Sequence, residues 1–383
     1  MLLRSLKLSR LLSFGPDAGE VELGPLNLLI GPNGSGKSNF LEAIGLLHAA
    51  PGDLARVVRE GGGVGAWLWQ GEPGATAEIE AVLEPRRAPA AACATASRSP
   101  RSASAWSWST SASRARSRGR ARRSRRSSSA MRAGGRCCTS TGDRVRGLAS
   151  RTSTLSDRSS PNARTRTSTP SCRSSATPTS RSVSTASGLS PRRPQAADLP
   201  STYLLPDARN LGLILNRLRR DVPTKRSLVE ALQQCFPGIT DFSVQIDSAT
   251  VQIFLEEERW SLPATRLSDG TMRWLALVAL LVDPKPGPLI VIEEPELGLH
   301  PDLIRGLAEL LRRASERTQL IVTTHSTALL DAFSDDPGVV LVCEREQGST
   351  TLRRLERDTL VDWLKEYSLG ELWTKGELGG VRW

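Results

Sequence analysis

The sequence predicts an α/β fold, in which a mixed sheet with flanking helices is joined to a lobe of antiparallel β-structure. Short, continuous apolar runs such as LNLLI at 26–30 are typical of buried parallel strands. Segments with helical spacing of apolar residues follow these runs, and strand–helix–strand order implies parallel strands joined by right-handed crossovers. The alternating stretch ATAEIEAVLE at 75–84 is instead typical of an antiparallel sheet.

The predicted elements divide the chain into two folded parts. The first, residues 1–85, places the buried strand before KSNFLEAIGLL at 37–47, whose apolar residues recur at helical spacing. The second, residues 198–383, begins with a helix for which Asp207 is the predicted cap, ahead of apolar Leu211 and Leu218. The further predicted elements are strands at 242–246 and 251–257, a helix at 271–282, a strand in PLIVIEE (288–294), a helix from about 301 to 316 and a strand in QLIVTT (319–324).

An Arg/Ser-rich segment, residues 86–197, separates the two parts. Between residues 91 and 190 the sequence has 28 Ser and 20 Arg, with no Lys, Ile, Phe or Tyr. The whole chain has 51 basic and 40 acidic residues, a net charge of +11; without that window it has 31 and 38, a net charge of −7. The basic character therefore belongs to the segment and does not indicate a nucleic-acid surface on the folded parts.

Two interpretations of this segment stand side by side. Arg, Ala, Pro and Gly have GC-rich codons and Lys has AT-rich codons, so translation of a GC-rich gene in a shifted frame yields such a composition. The alternative is a natural, disordered basic linker that binds nucleic acid electrostatically. We favour the shifted frame because the composition changes abruptly at both ends, and both interpretations predict that the segment does not pack. The coding DNA distinguishes them, since restoring the frame should give β-patterned sequence with Lys and Ile.

Cysteine and histidine are scarce outside the segment. Only Cys235 and Cys343 lie there, and the histidines, His48, His300 and His325, show no metal-ligand spacing with them. Two isolated thiols fit a reducing compartment, no apolar run approaches the roughly 18 residues of a membrane span, and the N-terminus lacks a signal-peptide pattern. We expect a soluble, cytoplasmic protein with no membrane partner.

The clearest chemical signal is IGPNGSGKSN at 30–39. It contains the G-x-x-x-x-G-K-[ST] pattern between a predicted strand and a predicted helix, a context in which backbone N–H groups face a nucleotide phosphate. Lys37 is expected to reach the β- and γ-phosphates, and the Ser38 hydroxyl is expected to bind Mg²⁺. The residues of this predicted phosphate-binding loop are Gly31, Asn33, Gly34, Ser35, Gly36, Lys37, Ser38 and Asn39.

Two further strands end in polar residues at the edge where open α/β sheets bind ligands. VIEEPELGLHP at 291–301 places Glu293 to hold Mg²⁺ and Glu294 to accept a proton from the water that attacks the γ-phosphate. VTTHS at 322–326 places His325 where an imidazole can hydrogen-bond the γ-phosphate. The predicted catalytic residues are therefore Lys37, Glu294 and His325, and the predicted metal ligands are Ser38 and Glu293.

A fourth stretch, RLSDGTMRWLALVALL at 266–281, places Ser268 and Gly270 just before an apolar helix. From these residues alone a capped helix without a ligand is the simpler interpretation. The order of the four motifs along the chain favours a ligand-binding role for LSDGT instead. The phosphate-binding loop, LSDGT, IEEPELGLHP and THS together resemble the ATPase head of the ABC superfamily. The resemblance covers about residues 1–84 and 199–383 and is to the soluble branch with RecF, the SMC proteins, the OLD ATPases and small predicted AAA-type ATPases.

The resemblance implies an ABC-type P-loop NTPase fold with ATP and Mg²⁺ as cofactors. It also implies a homodimer held by ATP, in which Ser268 and Gly270 contact the partner's γ-phosphate and LGLH at 297–300 links the two sites. DNA is a partner by the same family analogy. The chain departs from the pattern at Glu293, where many heads have Asp. No glutamine is clearly identified as the one that links Mg²⁺ to the first lobe, and Gln70 is a candidate.

Two functions follow from this resemblance. The first is an ATP-hydrolysing, ATP-dimerising enzyme in DNA repair or defence. The second is a slow ATP-gated switch that holds a partner protein with little turnover. A transporter cassette is disfavoured because EEPELGLHP and LSDGT match the soluble branch, and measuring turnover with and without DNA separates the first two functions.

Overall fold

The computed structural model describes residues 2–50, 52–72, 76–84 and 193–380, together with the backbone of three strands between residues 104 and 184. Apart from these strands and residues 193–197, the Arg/Ser-rich segment lies outside the described residues. The described strands are β1 (Leu2–Ser9), β2 (Glu20–Glu22), β3 (Leu26–Ile30), β4 (Thr76–Glu84), β5 (Ser104–Ser111), β6 (Arg136–Thr139), β7 (Ser180–Ser184), β8 (Gln195–Ala196), β9 (Ile239–Asp247), β10 (Thr250–Glu257), β11 (Ser261–Pro263), β12 (Leu289–Glu293), β13 (Gln319–Thr323), β14 (Val340–Glu346) and β15 (Ser349–Arg354).

Helices follow most of the buried strands, as the alternating pattern predicts. The described α-helices are α1 (Lys37–Ala49), α2 (Leu54–Glu60), α3 (Val64–Trp67), α4 (Leu211–Leu218), α5 (Val222–Cys235), α6 (Asp269–Leu281), α7 (Leu303–Ser315), α8 (Thr327–Asp331), α9 (Arg357–Leu360) and α10 (Leu369–Lys375). None of them has both the length and the apolar character that crossing a bilayer requires.

A six-stranded mixed sheet, in the order β15-β14-β3-β13-β12-β7, forms the centre of the fold. The pairs from β14 to β7 are parallel, and β15 is antiparallel to β14. Glu293 at the end of β12 lies opposite Thr323 at the end of β13. The carboxyl ends of β3, β12 and β13 therefore meet at one edge, which is the edge that the sequence predicts for the site.

Each face of the central sheet covers its own core. Leu28 and Ile30 of β3 pack on one face with apolar residues of α4, α5, α6, α7, α8 and α10. Leu29, which points the other way, packs with α1 and with residues of β1 and β4. Because both faces are covered, β3 is buried along its whole length, which explains its continuous apolar sequence.

Two antiparallel sheets accompany the central one, and this confirms the predicted mixed fold with an antiparallel lobe. The N-terminal sheet has the order β2-β1-β4-β5-β6, and a smaller sheet pairs β10 with β8, β9 and β11. Gln319 on β13 joins the N-terminal sheet to the central sheet. Its fully buried amide accepts a hydrogen bond from Leu3 N and donates one to Leu3 O, both at 2.8 Å.

The structure corrects one predicted boundary and extends another. Asp207 does not cap α4, because the helix begins at Leu211 after Asn210. The Asp207 carboxylate instead accepts a hydrogen bond from Arg209 N, within the preceding turn. Gln195, which the sequence places inside the Arg/Ser-rich segment, is buried and accepts a hydrogen bond from Gly212 N at 2.7 Å. The packed C-terminal part therefore begins before residue 198.

Candidate nucleotide site

The phosphate-binding loop runs from the end of β3 to the start of α1, and its glycines are required by its geometry. Gly31, Gly34 and Gly36 have φ angles of +147°, +81° and +108°, in a region that other residues rarely adopt. A β-carbon on Gly36 would lie 2.2 Å from Thr350 Oγ1, and one on Gly31 would lie 2.3 Å from the carbonyl oxygen of Cys343. The backbone therefore curls closely against β14 and β15.

Residues from distant parts of the chain support this loop. The fully buried hydroxyl of Thr350 donates to the carbonyl of Ser35 at 2.8 Å and lies 2.7 Å from Ser13 Oγ. Thr350 N donates to Ser13 O at 2.8 Å. The sequence did not identify Ser13 or Thr350 as functional residues, because nothing near either of them resembles a motif and only the fold brings them under the loop.

Lys37 is held inside the curve of the loop. Its side chain is buried, and Nζ donates to the carbonyls of Gly31 at 2.7 Å and Pro32 at 3.1 Å. Burial lowers the pKa of Lys37, while the neighbouring Cys343, Glu294 and Glu293 act in the opposite direction. The cation therefore lies against the loop carbonyls, with two carboxylates close enough to affect its titration.

Ser38 and Glu293, the predicted metal ligands, are brought together. Ser38 Oγ donates to Glu293 Oε1 at 2.7 Å, although these residues belong to α1 and β12. Mg²⁺ prefers hard oxygen ligands and is usually held by one or two protein oxygens together with substrate phosphates and water. Among the described residues no group of three or more His, Cys, Asp or Glu can hold a metal. Ser38 Oγ and the Glu293 carboxylate are oxygen ligands of the kind that fits Mg²⁺ bound together with a nucleotide.

Glu294 and His325 face each other at the ends of neighbouring strands. Glu294 Oε1 lies 3.5 Å from His325 Nε2. The backbone of Glu294 has a φ of +46°, and its N–H donates to both the carbonyl and the hydroxyl of Thr323, at 3.0 and 3.2 Å. Burial, followed by the nearby Lys37, lowers the pKa of His325 against the opposing effect of Glu294 and Glu296. The surroundings of His325 therefore favour the neutral form of its imidazole.

Ser268 and Gly270 lie at the start of α6, and their described contacts are with that helix and the LGLH loop. Ser268 Oγ accepts a hydrogen bond from Thr271 N at 3.1 Å and so caps the helix. A β-carbon on Gly270 would lie 2.5 Å from the carbonyl oxygen of Gly298, and Arg273 donates to Leu297 O at 2.8 Å. The LGLH loop therefore joins the end of β12 to the start of α6 within one subunit.

The remaining predicted site residues lie in the phosphate-binding loop, in α1 and after α3. Asn33, Gly34 and Ser35 form the turn of the phosphate-binding loop, and Asn39 lies half-buried in the first turn of α1. The amide of Gln70 donates to the carbonyls of Gly65 and Leu68, so its described contacts are local.

The sequence did not identify Glu296 as a site residue, although its carboxylate contacts the turn that carries His325. Its position inside EEPELGLHP is the one sequence feature that could have indicated a role for Glu296.

Comparison with known families gives a match over well over half of the chain. Residues 26–85 and 148–331 match the family described as "AAA domain, putative AbiEii toxin, Type IV TA system". The matched ranges contain the phosphate-binding loop, Ser268, Glu293, Glu294 and His325. The match is interrupted between residues 86 and 147, inside the Arg/Ser-rich segment.

Two characterised proteins are similar to parts of the chain. It is 31% identical over 132 residues to the Old nuclease of Escherichia phage P2. It is 28% identical over 115 residues to the retron Ec83 probable ATPase of Escherichia coli. These alignments cover 31% and 27% of this chain but 22% and 21% of the relatives. The chain therefore spans about a fifth of the length of each of these relatives.

Solved structures of SMC heads are similar in fold. An SMC head bound to the C-terminal winged-helix domain of ScpA has a TM-score of 0.56 at 14% identity, over 94% of this chain and 99% of that one. The Smc head with an extended coiled coil from Pyrococcus furiosus has a TM-score of 0.53 at 13% identity, over 95% and 98% of the two chains. This likeness confirms the predicted fold, an ATPase head of the P-loop NTPase class. With the family match added, the chain belongs to the family "AAA domain, putative AbiEii toxin, Type IV TA system" and has an ATPase head of the RecF, SMC and OLD group.

Proposed function

We propose that this chain binds ATP with Mg²⁺, hydrolyses it, and works as an ATP-dependent homodimer in DNA repair or defence. The observation that carries the proposal is the meeting of five side chains at one sheet edge. Lys37 and Ser38 come from the start of α1, Glu293 and Glu294 from the end of β12, and His325 from the end of β13.

Binding follows from the backbone and from two side chains. The left-handed glycines turn successive N–H groups toward the space in front of α1, where the helix N-terminus adds partial positive charge. Lys37, whose Nζ lies against the carbonyls of Gly31 and Pro32, would supply a full positive charge for the β- and γ-phosphates. Ser38 Oγ and Glu293 would hold Mg²⁺, which neutralises charge on the phosphates when bound.

Hydrolysis is assigned to Glu294 and His325. A carboxylate at the end of β12 can accept the proton of a water that attacks the γ-phosphate. The imidazole lies 3.5 Å from that carboxylate, and its neutral form, which burial favours, can donate one hydrogen bond while accepting another. Lys37, Glu294 and His325 would thus surround the γ-phosphate from one subunit only.

The homodimer would complete the site from the other side. Ser268 and Gly270 stand at the N-terminus of a 13-residue helix, where backbone N–H groups favour an anion. A two-fold arrangement would place this helix start over the ATP of the second subunit and repeat the same contact twice. Hydrolysis would then weaken the dimer, because the γ-phosphate that joins the subunits is lost.

A role in DNA repair or defence is supported by the relatives alone. One is named a nuclease of a phage, one a probable ATPase of a retron, and the family description refers to a toxin–antitoxin system. These names concern whole proteins of which this chain resembles a part. A slow ATP-gated switch is the second candidate, because an SMC head of similar fold is described in complex with a ScpA domain.

One experiment separates the two candidates. ATP turnover by the purified chain should be measured with Mg²⁺, in the presence and absence of double-stranded DNA. Turnover that DNA stimulates supports the ATPase in repair or defence. Negligible turnover, together with nucleotide-dependent capture of a partner protein, would support the switch and contradict the hydrolytic proposal.

A further inference from the structure

Glu296 connects the two loops that carry the proposed catalytic pair. It lies in the loop after β12, and its Oε1 accepts a hydrogen bond from Thr324 Oγ1 at 2.6 Å and another from His325 N at 2.9 Å. Both donors belong to the turn after β13. A side chain of one loop therefore holds the backbone of the other, directly at His325.

A second link runs in the opposite direction. Glu294 N, in the loop after β12, donates to the carbonyl and hydroxyl of Thr323 at the end of β13. Each loop is thus fixed by the other, with the backbone of Glu294 bound to Thr323 and the backbone of His325 bound to Glu296. The two links thus fix the backbones from which the Glu294 and His325 side chains, 3.5 Å apart, extend.

The turn held by Glu296 is also tied to neighbouring elements. Thr324 Oγ1 accepts a hydrogen bond from Ser326 N at 3.0 Å, and Ser326 caps α8. Thr324 N donates to Leu29 O at 3.0 Å, on the strand that leads into the phosphate-binding loop. The turn that carries His325 is therefore linked to β3 through Thr324. Among the described residues that make these contacts, Glu296 is the only one with a charged side chain.

The Glu296 carboxylate is not explained by stability alone. Its Oε2 atom is buried, and within the described part of the chain it has no hydrogen-bond partner. A carboxylate oxygen without a protein donor is costly to bury, and such a group in a native fold calls for a reason. Fixing the turn that carries a catalytic imidazole is such a reason, since small displacements of a catalytic group lower the rate strongly.

We propose that Glu296 is a positioning residue, which holds the Thr324–His325 turn so that the imidazole faces the Glu294 carboxylate and the γ-phosphate. It acts through His325 and does not touch the nucleotide. This inference rests on the proposed function, in which Glu294 and His325 take part in ATP hydrolysis.

Four variants test it by kinetics. Glu296→Ala removes both hydrogen bonds, and we expect kcat to fall by at least about tenfold with the Kd for ATP unchanged. Glu296→Gln keeps an oxygen that can accept both bonds and should retain most of kcat. Glu296→Asp is one methylene shorter and should behave like Glu296→Ala. Glu230→Ala, which removes an exposed carboxylate on α5, is the matched control and should leave turnover unchanged.

A double-mutant cycle distinguishes positioning from a general structural effect. If Glu296 acts through His325, Glu296→Ala should cause no further loss of kcat in a His325→Gln background. Multiplicative losses in the double variant would overturn the proposal. A fall in ATP affinity equal to the fall in kcat would overturn it too, because the defect would then lie in binding.

A spectroscopic measurement keeps the inference testable if the chain hydrolyses no ATP. The sequence has three histidines, so the ring signal of His325 in histidine-labelled protein can be assigned by its loss in His325→Gln. We expect Glu296→Ala to shift that signal and Glu296→Gln to leave it near its original position. An unshifted His325 signal in Glu296→Ala would refute the positioning role, whereas absent turnover with a shifted signal would refute only the proposed ATPase.

Discussion

Hydrogen bonds with backbone atoms help to hold two of the candidate catalytic residues. Lys37 donates to the carbonyls of its own loop, and Glu294 is fixed through its N–H to Thr323. Glu294 also has a left-handed backbone, a conformation that costs energy for any residue other than glycine and is concentrated at functional sites. At the scale of single residues, local backbone contacts therefore fix the position of Glu294 and of the Lys37 ammonium.

Replacing Lys37 with alanine should weaken ATP binding by roughly tenfold or more, because a hydrogen bond to a charged group contributes about 1.5–3 kcal/mol. Titration with a fluorescent ATP analogue measures the effect. Lys365→Ala removes an exposed ammonium that pairs with Asp362, and it should leave the affinity unchanged. Equal affinities of the Lys37→Ala and wild-type proteins would exclude Lys37 from the phosphate site.

Replacing Glu294 with glutamine should preserve ATP binding and reduce kcat by about 10²- to 10⁴-fold, because the amide cannot accept the proton of the attacking water. A phosphate-release assay, together with the binding titration, separates the two effects. Glu309→Gln on α7, an exposed carboxylate paired with Arg313, serves as the control. Unchanged turnover in Glu294→Gln would remove this residue from the mechanism.

Cys343 should be inert in the folded protein. Burial raises the pKa of its thiol from 9.0 to about 12, although Lys37 acts in the opposite direction. Because the thiolate is the reactive form, iodoacetamide at about pH 8 should not label Cys343 until urea unfolds the chain. Half-buried Cys235 is the internal comparison, and peptide mass spectrometry measures both sites. Equal labelling of the two folded-state thiols would contradict this expectation.

The same pKa shift predicts a dependence of stability on pH. The unfolded thiol ionises at a lower pH than the folded one, so the unfolded state releases its proton first as the pH rises. The contribution of Cys343 to the free energy of unfolding should therefore be constant below about pH 8 and fall above about pH 9. Urea unfolding of the wild-type protein and Cys343→Ala across this range measures the difference.

At the scale of elements, the phosphate-binding loop depends on the hairpin of β14 and β15 as much as on β3 and α1. The hydroxyl of Thr350 lies where a side chain on Gly36 would have to be. The loop can follow its path only because glycine leaves that space open. Local sequence therefore provides the conformational freedom, and the hairpin selects one conformation.

Two glycine substitutions, one at the start of α1 and one inside it, should have opposite effects. Gly36→Ala places a β-carbon 2.2 Å from Thr350 Oγ1 on a backbone with φ +108°, so it should destabilise the chain by about 1–3 kcal/mol or more and abolish ATP binding. Gly45→Ala, on the exposed side of α1 with no atom within 4 Å, should stabilise it by up to about 1 kcal/mol. Urea unfolding measures both, and similar effects of the two changes would contradict the proposed close approach.

At the scale of the whole molecule, the two folded parts of the sequence form one structure. β3, from the first part, lies between β13 and β14, from the second. Gln319 then connects the central sheet to β1 through two buried hydrogen bonds. Neither part can complete the central sheet by itself, so the nucleotide site exists only when both parts fold together.

The proposed dimer gives a prediction at this scale. Glu294→Gln should form a dimer with Mg·ATP and remain monomeric with Mg·ADP, and adding Ser268→Arg should abolish the dimer by placing charge and bulk at the contact. Light scattering measures both variants. Ser368→Arg, added to Glu294→Gln in the same way, also removes a helix cap, at the start of α10, and should leave dimer formation intact. A Glu294→Gln protein that binds ATP yet stays monomeric at micromolar concentration would contradict the sandwich.

The sequence predicted much of this architecture because its signals are local. Continuous apolar runs marked the buried strands β3, β12 and β13, and the glycine pattern marked the loop between β3 and α1. Asp207 shows where a local signal misleads, since its carboxylate satisfies a turn and α4 begins at Leu211. When several polar residues precede a helix, the sequence alone does not show which of them caps it. The conformation of the preceding turn decides which residue lies next to the first turn of the helix.

By itself, the sequence determined the order of the elements and the kinds of residue at each strand end, because hydrophobic periodicity and glycine are read within a few neighbouring positions. Only the tertiary structure decided which distant residues touch. The contacts of Thr350 with Ser35 and of Glu296 with His325 each join segments that are separate in the chain. Such pairs form because strands β15, β3, β12 and β13 belong to one sheet, and the order of strands in that sheet depends on the whole fold.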